Sequence, residues 1–205
     1  MRSLRIALGA SLLSAGLLAP QAFACGFDGL LGDSFSAQHP KSLGVAMSVA
    51  DAVTSGALGK EAVAPIEPGQ KGYWRAMGRV QRFSNLMAAA GGASARLPAV
   101  SVLLIDSGLW TRLRPSSSGY EIEAHAKEPA AGDVVIVTNE TVLASLDDGR
   151  LSPLRALDMG LVAVDGDEAP ATSVRRDLIA RIDPAKAEGF APAIAPAWGR
   201  RQPGF

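Results

Sequence analysis

Apolar and polar positions change their rhythm once along the chain. Up to about residue 92 the apolar residues recur at helical spacing, and from Val100 onward they come in short runs and alternations. Leu43, Ala46, Met47, Ala50 and Val53 or Thr54 fall three and four apart and predict a helix. Pro40 suits its first turn, and Gly56 or Gly59 its end. Pro65, Pro68, Gly69 and Gly72 predict a connecting loop over Val63–Gly72. A second helix is predicted from Tyr73 to Ala90. Trp74, Met77, Val80 or Gln81, Leu86 and Met87 lie along one side, with Phe83 beside them. Arg75, Arg79 and Arg82 lie toward the other side, and Gly91-Gly92 stops the helix.

The second half reads as strands. Val100–Ile105 is an apolar run, Asp106-Ser107-Gly108 a turn, and Leu109–Arg114 the returning strand of a hairpin. Tyr120–His125 alternates as a third strand and Asp133–Thr138 is a fourth. Asn139 is a good cap for a short helix carrying Val142, Leu143 and Leu146 and closed by Gly149. Pro153–Leu157 makes a helical turn, Leu161–Val164 a fifth strand turned at Gly166, and Ala171–Ile182 a final helix. This order predicts an α+β fold: a largely antiparallel five-stranded sheet with helices packed on one face. One such domain is expected over residues 39–182, helical up to 92. An irregular segment, 25–38, precedes it, and a Pro-, Ala- and Gly-rich tail, 183–205, with a disordered composition follows.

The first 24 residues have a different pattern. Arg2 and Arg5 precede an apolar run from Ile6 to Ala19, and Ala22-Phe23-Ala24 follows Pro20. Charge, apolar core and A-x-A site make a cleavable signal peptide. The run of about 14 residues falls short of the roughly 20 that span a bilayer. Export to a bacterial periplasm is therefore expected. Cleavage after Ala24 places Cys25, the single cysteine, at the new N-terminus. Cys25 is a lipidation candidate, although Ala22 stands where lipoprotein sites favour Leu; a free or intermolecular thiol and an incidental residue are the other readings. A single cysteine excludes an internal disulfide.

Charge narrows the partners. The 20 basic and 20 acidic residues become 18 against 20 once Arg2 and Arg5 leave with the leader. Such a balance offers no basic face for nucleic acid and no polybasic handle for anionic membrane. Hydrophobic residues make up 48% and aromatic residues 5%, so the interior is aliphatic, which suits an adaptable cavity or an ordinary core alike.

From Asp133 to Leu178 the chain resembles the sterol carrier protein type 2 family. The matching features are Asp133-Val134-x-Ile136, Leu143-Ala144-Ser145-Leu146 with Gly149, Leu151-Ser152-Pro153 with Ala156, Met159-Gly160, Val162 with Val164, and Gly166-Asp167. The upstream hairpin around Asp106-Ser107-Gly108 fits the same layout, so the resemblance spans about 95–182. It implies a tunnel for lipids or other long apolar molecules between helices and sheet. Leu146, Leu154, Leu157 and Met159 would line that tunnel, with Phe83 and Met87 from the upstream helix. The alternative is that the same six residues fill a solid core.

Catalytic chemistry is sparse. His125 shares a strand face with Glu123, but no third ligand is clustered with them, and a solvated face is the expected reading. Asp147-Asp148 and Asp165, Asp167 and Glu168 lack the spacing of a calcium loop. No nucleophile elbow, phosphate loop or dinucleotide fingerprint is present. The expected function is a periplasmic, non-enzymatic binding protein that needs no cofactor and no metal. It would hold a sterol, hopanoid, quinone or acyl lipid. The rival is an accessory protein with a filled core that docks on an exported enzyme such as a dehydrogenase through an exposed apolar patch.

Overall fold

A computed structural model describes residues 38–89 and 97–181 of the 205. The leader, Cys25 and the tail beyond residue 181 lie outside the described residues. Helix α1, Ser42–Thr54, is followed by a 3-10 turn at Lys60–Val63 and by helix α2, Gly69–Ala89. Then come strands β1 (Val100–Leu104), β2 (Leu109–Ser116), β3 (Gly119–Ala124) and β4 (Val134–Thr138). Helices α3 (Glu140–Asp147) and α4 (Pro153–Asp158), strand β5 (Ala163–Asp165) and helix α5 (Glu168–Arg181) complete the fold.

The sheet order is β3-β2-β1-β4-β5. Three neighbouring pairs are antiparallel, and β1 and β4 at the centre run parallel, with Val100 opposite Val134 and Leu104 opposite Thr138. The α+β class and the five strands are therefore as the alternation predicts. Every residue of β1 and of β4 is buried. In a strand, neighbouring side chains point to opposite faces, so both faces of the sheet centre are covered.

The two coverings differ. Val102, Leu104, Leu109, Leu113, Ile136 and Val164 share one face by register. The layer of α2, α3 and α5 packs together, with α2 against β3 and α5 against β4 and β5. The other face carries Ser101, Leu103, Trp110, Val135 and Val137. The segment leading into α1 lies there. Gln38 Oε1 accepts a 2.6 Å hydrogen bond from Trp110 Nε1, the His39 ring meets the Trp110 ring edge-on, and His39 Nε2 is 3.5 Å from an Asp165 oxygen. Helix α1 itself packs against β4.

Within α1 the buried stripe is Ser42, Val45, Val49 and Ala52. Leu43 and Met47, expected to face inward, are 62% and 61% exposed. Close packing occurs at Gly160, whose φ of +70° and whose distance of only 2.8 Å from a built Cβ to Ser48 Oγ both favour glycine.

Helix α2 begins four residues earlier than the glycines suggest. Glu67, just ahead of it, pairs with Lys71 at 2.8 Å and Arg75 at 2.9 Å, and an acid at a helix N-terminus meets the favourable end of the dipole. Its core stripe is Ala76, Val80, Phe83 and Met87, whereas Trp74 is 61% exposed. The cap predicted downstream is present, and α4 has one that was not predicted. Asn139 Oδ1 accepts from the Thr141 and Val142 amides, and Ser152 caps α4 ahead of Pro153.

Buried charge on the α1 face is satisfied. Asp133 accepts from Ser101 Oγ and Arg112 Nε, both at 2.7 Å, and from Arg112 Nη2 at 3.0 Å. Burial works against its charge, but these bonds outweigh it and hold the carboxyl below the usual carboxylate range.

Candidate functional site

Because β1 and β4 run parallel, their carboxyl ends lie side by side, and the chain leaves them in different directions. Beyond Leu104 come Ile105 and Asp106, and beyond Thr138 come Asn139 and Glu140. The Ile105 amide donates to Thr138 O at 2.9 Å, and the Glu140 amide donates to Asp106 Oδ2 at 2.9 Å. Asn139 Nδ2 donates to Ala62 O at 3.0 Å, which ties the 3-10 turn to the start of α3.

A half-open groove of about 300 Å³ is left between these ends, α1 and the 3-10 turn. Ala46 and Val49 supply the α1 wall, Ala62 and Val63 come from the 3-10 turn, and Ala64, Pro65 and Ile66 from the segment after it. Ile105, Asp106 and Asn139 complete the lining. Eight of these ten residues are apolar. The size is at the low end of the roughly 300–1,000 Å³ of small-molecule sites.

The polar part of the wall is unusual in its electrostatics. Asp106 Oδ1 is buried and has no hydrogen-bond partner. Burial pushes the Asp106 carboxyl up to about 6; the Glu140 amide opposes this, the Glu140 charge adds to it, and the Asp106 and Ser107 amides also oppose it. Glu140, also buried, accepts from Arg75 Nε at 2.7 Å and lies 3.1 Å from Arg79 Nε. The hydrogen bond to Glu140 is the main reason that Arg75 is raised above the usual guanidinium range.

Among the described residues one other carboxyl is pushed up to about 6, again mainly by burial. This is Asp147 at the end of α3. Arg82 Nε lies 3.3 Å from its Oδ2 and opposes the shift without cancelling it. Asp147 lines no part of the groove. A carboxyl whose folded pKa lies above its unfolded value contributes stability below the unfolded pKa and loses it as pH rises through about 6. Asp147→Asn is therefore expected to stabilise the fold at pH 7 by about 1–2 kcal/mol. Urea unfolding checks this, and the gain should vanish at pH 4.

The six residues expected to line a tunnel lie elsewhere. Phe83, Met87 and Leu146 are buried in the hydrophobic core. Leu157 and Met159 are partly buried against it. Leu154 is 52% exposed, so its expected inward position is corrected: α4 turns Pro153 and Ala156 inward instead. None of the six lines the groove. His125 is also displaced. Strand β3 ends at Ala124, His125 has a φ of +56°, and its ring stacks on Tyr73 at 4.9 Å, so it no longer alternates with Glu123. Among the described residues no group of three or more His, Cys, Asp or Glu is placed to hold a metal ion. No described helix is long and apolar enough to cross a membrane.

No family model and no curated protein matches the chain. Among solved structures, it is similar to sterol carrier protein 2 domains. The sterol carrier protein 2-like 2 of Aedes aegypti is 11% identical, with 51% of this chain and 96% of that one covered and a TM-score of 0.39. The ubiquinone synthesis protein UbiJ is 20% identical, with 62% and 100% covered and a TM-score of 0.40. An inverting sec-alkylsulfatase from Pseudomonas sp. is 15% identical, with 42% of this chain covered and a TM-score of 0.35. The chain spans only 13% of the sulfatase's length.

Proposed function

We propose that this chain is an exported, non-catalytic binding protein that holds an apolar molecule in the groove at the carboxyl ends of β1 and β4. The leader pattern of residues 1–24 supports export. The observation that carries the binding reading is the groove itself, half-open and walled by apolar residues from three separate segments. Burying an aliphatic chain there contributes roughly 0.8 kcal/mol per methylene without any reacting group. The sterol-carrier-like pattern along Asp133–Leu178 agrees in ligand class. The groove is small, however, and takes a short molecule or one end of a long one.

Native mass spectrometry with solvent extraction, on protein purified from the compartment that receives it, tests this. A reproducible bound mass is expected. Ala46→Trp, which fills the groove from a partly buried position, should release it, while Leu157→Arg should leave it bound. Release by Leu157→Arg alone would place the ligand between helices and sheet. A clean apo mass after aliphatic molecules are offered would contradict the reading altogether.

One observation favours docking on a protein partner as the second reading. Leu43 and Met47, one turn apart on α1, present an exposed apolar strip to solvent.

A further inference from the structure

We infer that the groove selects apolar molecules whose polar end donates a hydrogen bond, an alcohol or an amine, with Asp106 as the acceptor. This rests on the reading of the groove as a ligand site and names the head group that it takes.

The wall has two polar side chains, and their commitments differ. Asn139 is largely used: its oxygen accepts from the Thr141 and Val142 amides, and one of its two N–H groups donates to Ala62 O. Asp106 gives Oδ2 to the Glu140 amide and leaves Oδ1 buried without a partner. Buried polar groups are nearly always satisfied, so an orphan carboxylate oxygen beside a groove calls for a donor from the occupant.

The same wall disfavours acceptor heads. A carbonyl or carboxylate would find only the second N–H of buried Asn139 as a side-chain donor in the lining. The nearby guanidiniums of Arg75 and Arg79 are held by Glu140. An anionic head would also meet the Asp106 carboxylate. A fatty acid and a quinone carbonyl are therefore poor fits, whereas a hydroxyl or ammonium on an aliphatic body is a good one.

The charged groups around Asp106 are few. Glu140 faces it from α3 and Arg75 from α2, while the lining contributed by α1 and the 3-10 turn holds no titratable side chain. The carboxyl, pushed up to about 6, is ionised at pH 7.5 and mostly neutral at pH 5. Affinity for an amine should fall roughly tenfold over that interval.

The test is a titration of the exported chain with 1-octanol, octylamine, 2-octanone and octanoate, followed by calorimetry at pH 7.5. Octanol and octylamine are expected to bind at least about tenfold tighter than the ketone and the carboxylate. Asp106→Leu should erase that preference. The wild-type series alone already decides the matter if the variant fails to fold. Octylamine far ahead of octanol assigns the head group as a cation; equal binding assigns it as a neutral donor. Four affinities within about threefold of one another would overturn the inference while the groove remained a binding site. No binding by any of the four would overturn both.

Discussion

Replacing Phe83 with alanine is expected to destabilise the fold by about 3–5 kcal/mol. Phe83 is 1% exposed and lies on the α2 stripe with Ala76, Val80 and Met87. That stripe faces the layer formed with α3 and β3. Deleting the ring removes its transfer free energy and leaves a void that packed neighbours fill only in part. In urea the midpoint should drop while the slope stays constant, because the same surface is exposed on unfolding. Leu154→Ala, at an exposed site, should stay within about 0.5 kcal/mol of wild type. The pair also bears on function. A Phe83→Ala cost below about 1 kcal/mol would mean that this side chain borders open space, and the ligand would then belong between helices and sheet.

Asn139→Ala is expected to cost about 2–4 kcal/mol, a large effect for a single polar residue. Two losses combine. The α3 N-terminus loses the oxygen that accepts from the Thr141 and Val142 amides, and the Ala62 carbonyl loses its donor from Nδ2. Asn139 is 3% exposed, so water does not readily replace either bond. Asn139→Asp keeps the cap acceptor and removes only the donor, so it should fall between wild type and alanine. Urea unfolding ranks the three. Because Asn139 and Ala62 both line the groove, ligand affinity should follow the same order.

Most elements were legible because each has a local cause. Alternation marks the outer strands, the Asp-Ser-Gly turn closes the first hairpin, and Asn139 and Pro153 announce their helices. The failures are long-range. Parallel pairing of β1 with β4 leaves no trace in either strand, since a buried run such as Val134–Thr138 reads the same in any orientation. The groove depends on that pairing and was therefore invisible. Asp106 read only as a turn residue and Asn139 only as a cap, although both also line the groove. In α1 two helical stripes compete, and the larger side chains of Leu43 and Met47 pointed to the wrong one. The tunnel residues were chosen by apolarity, which separates core from cavity no better than it separates Phe83 from Leu154.

The most direct test of the central claim is a nuclear magnetic resonance titration of the chain with 1-octanol. The account predicts shift changes confined to the amides of Ala46, Val49, Ala62, Ile105 and Asp106, with those of Phe83, Met87 and Leu146 unmoved. Changes centred on Phe83, Met87 and Leu146 instead, or none anywhere at saturating octanol, would contradict it.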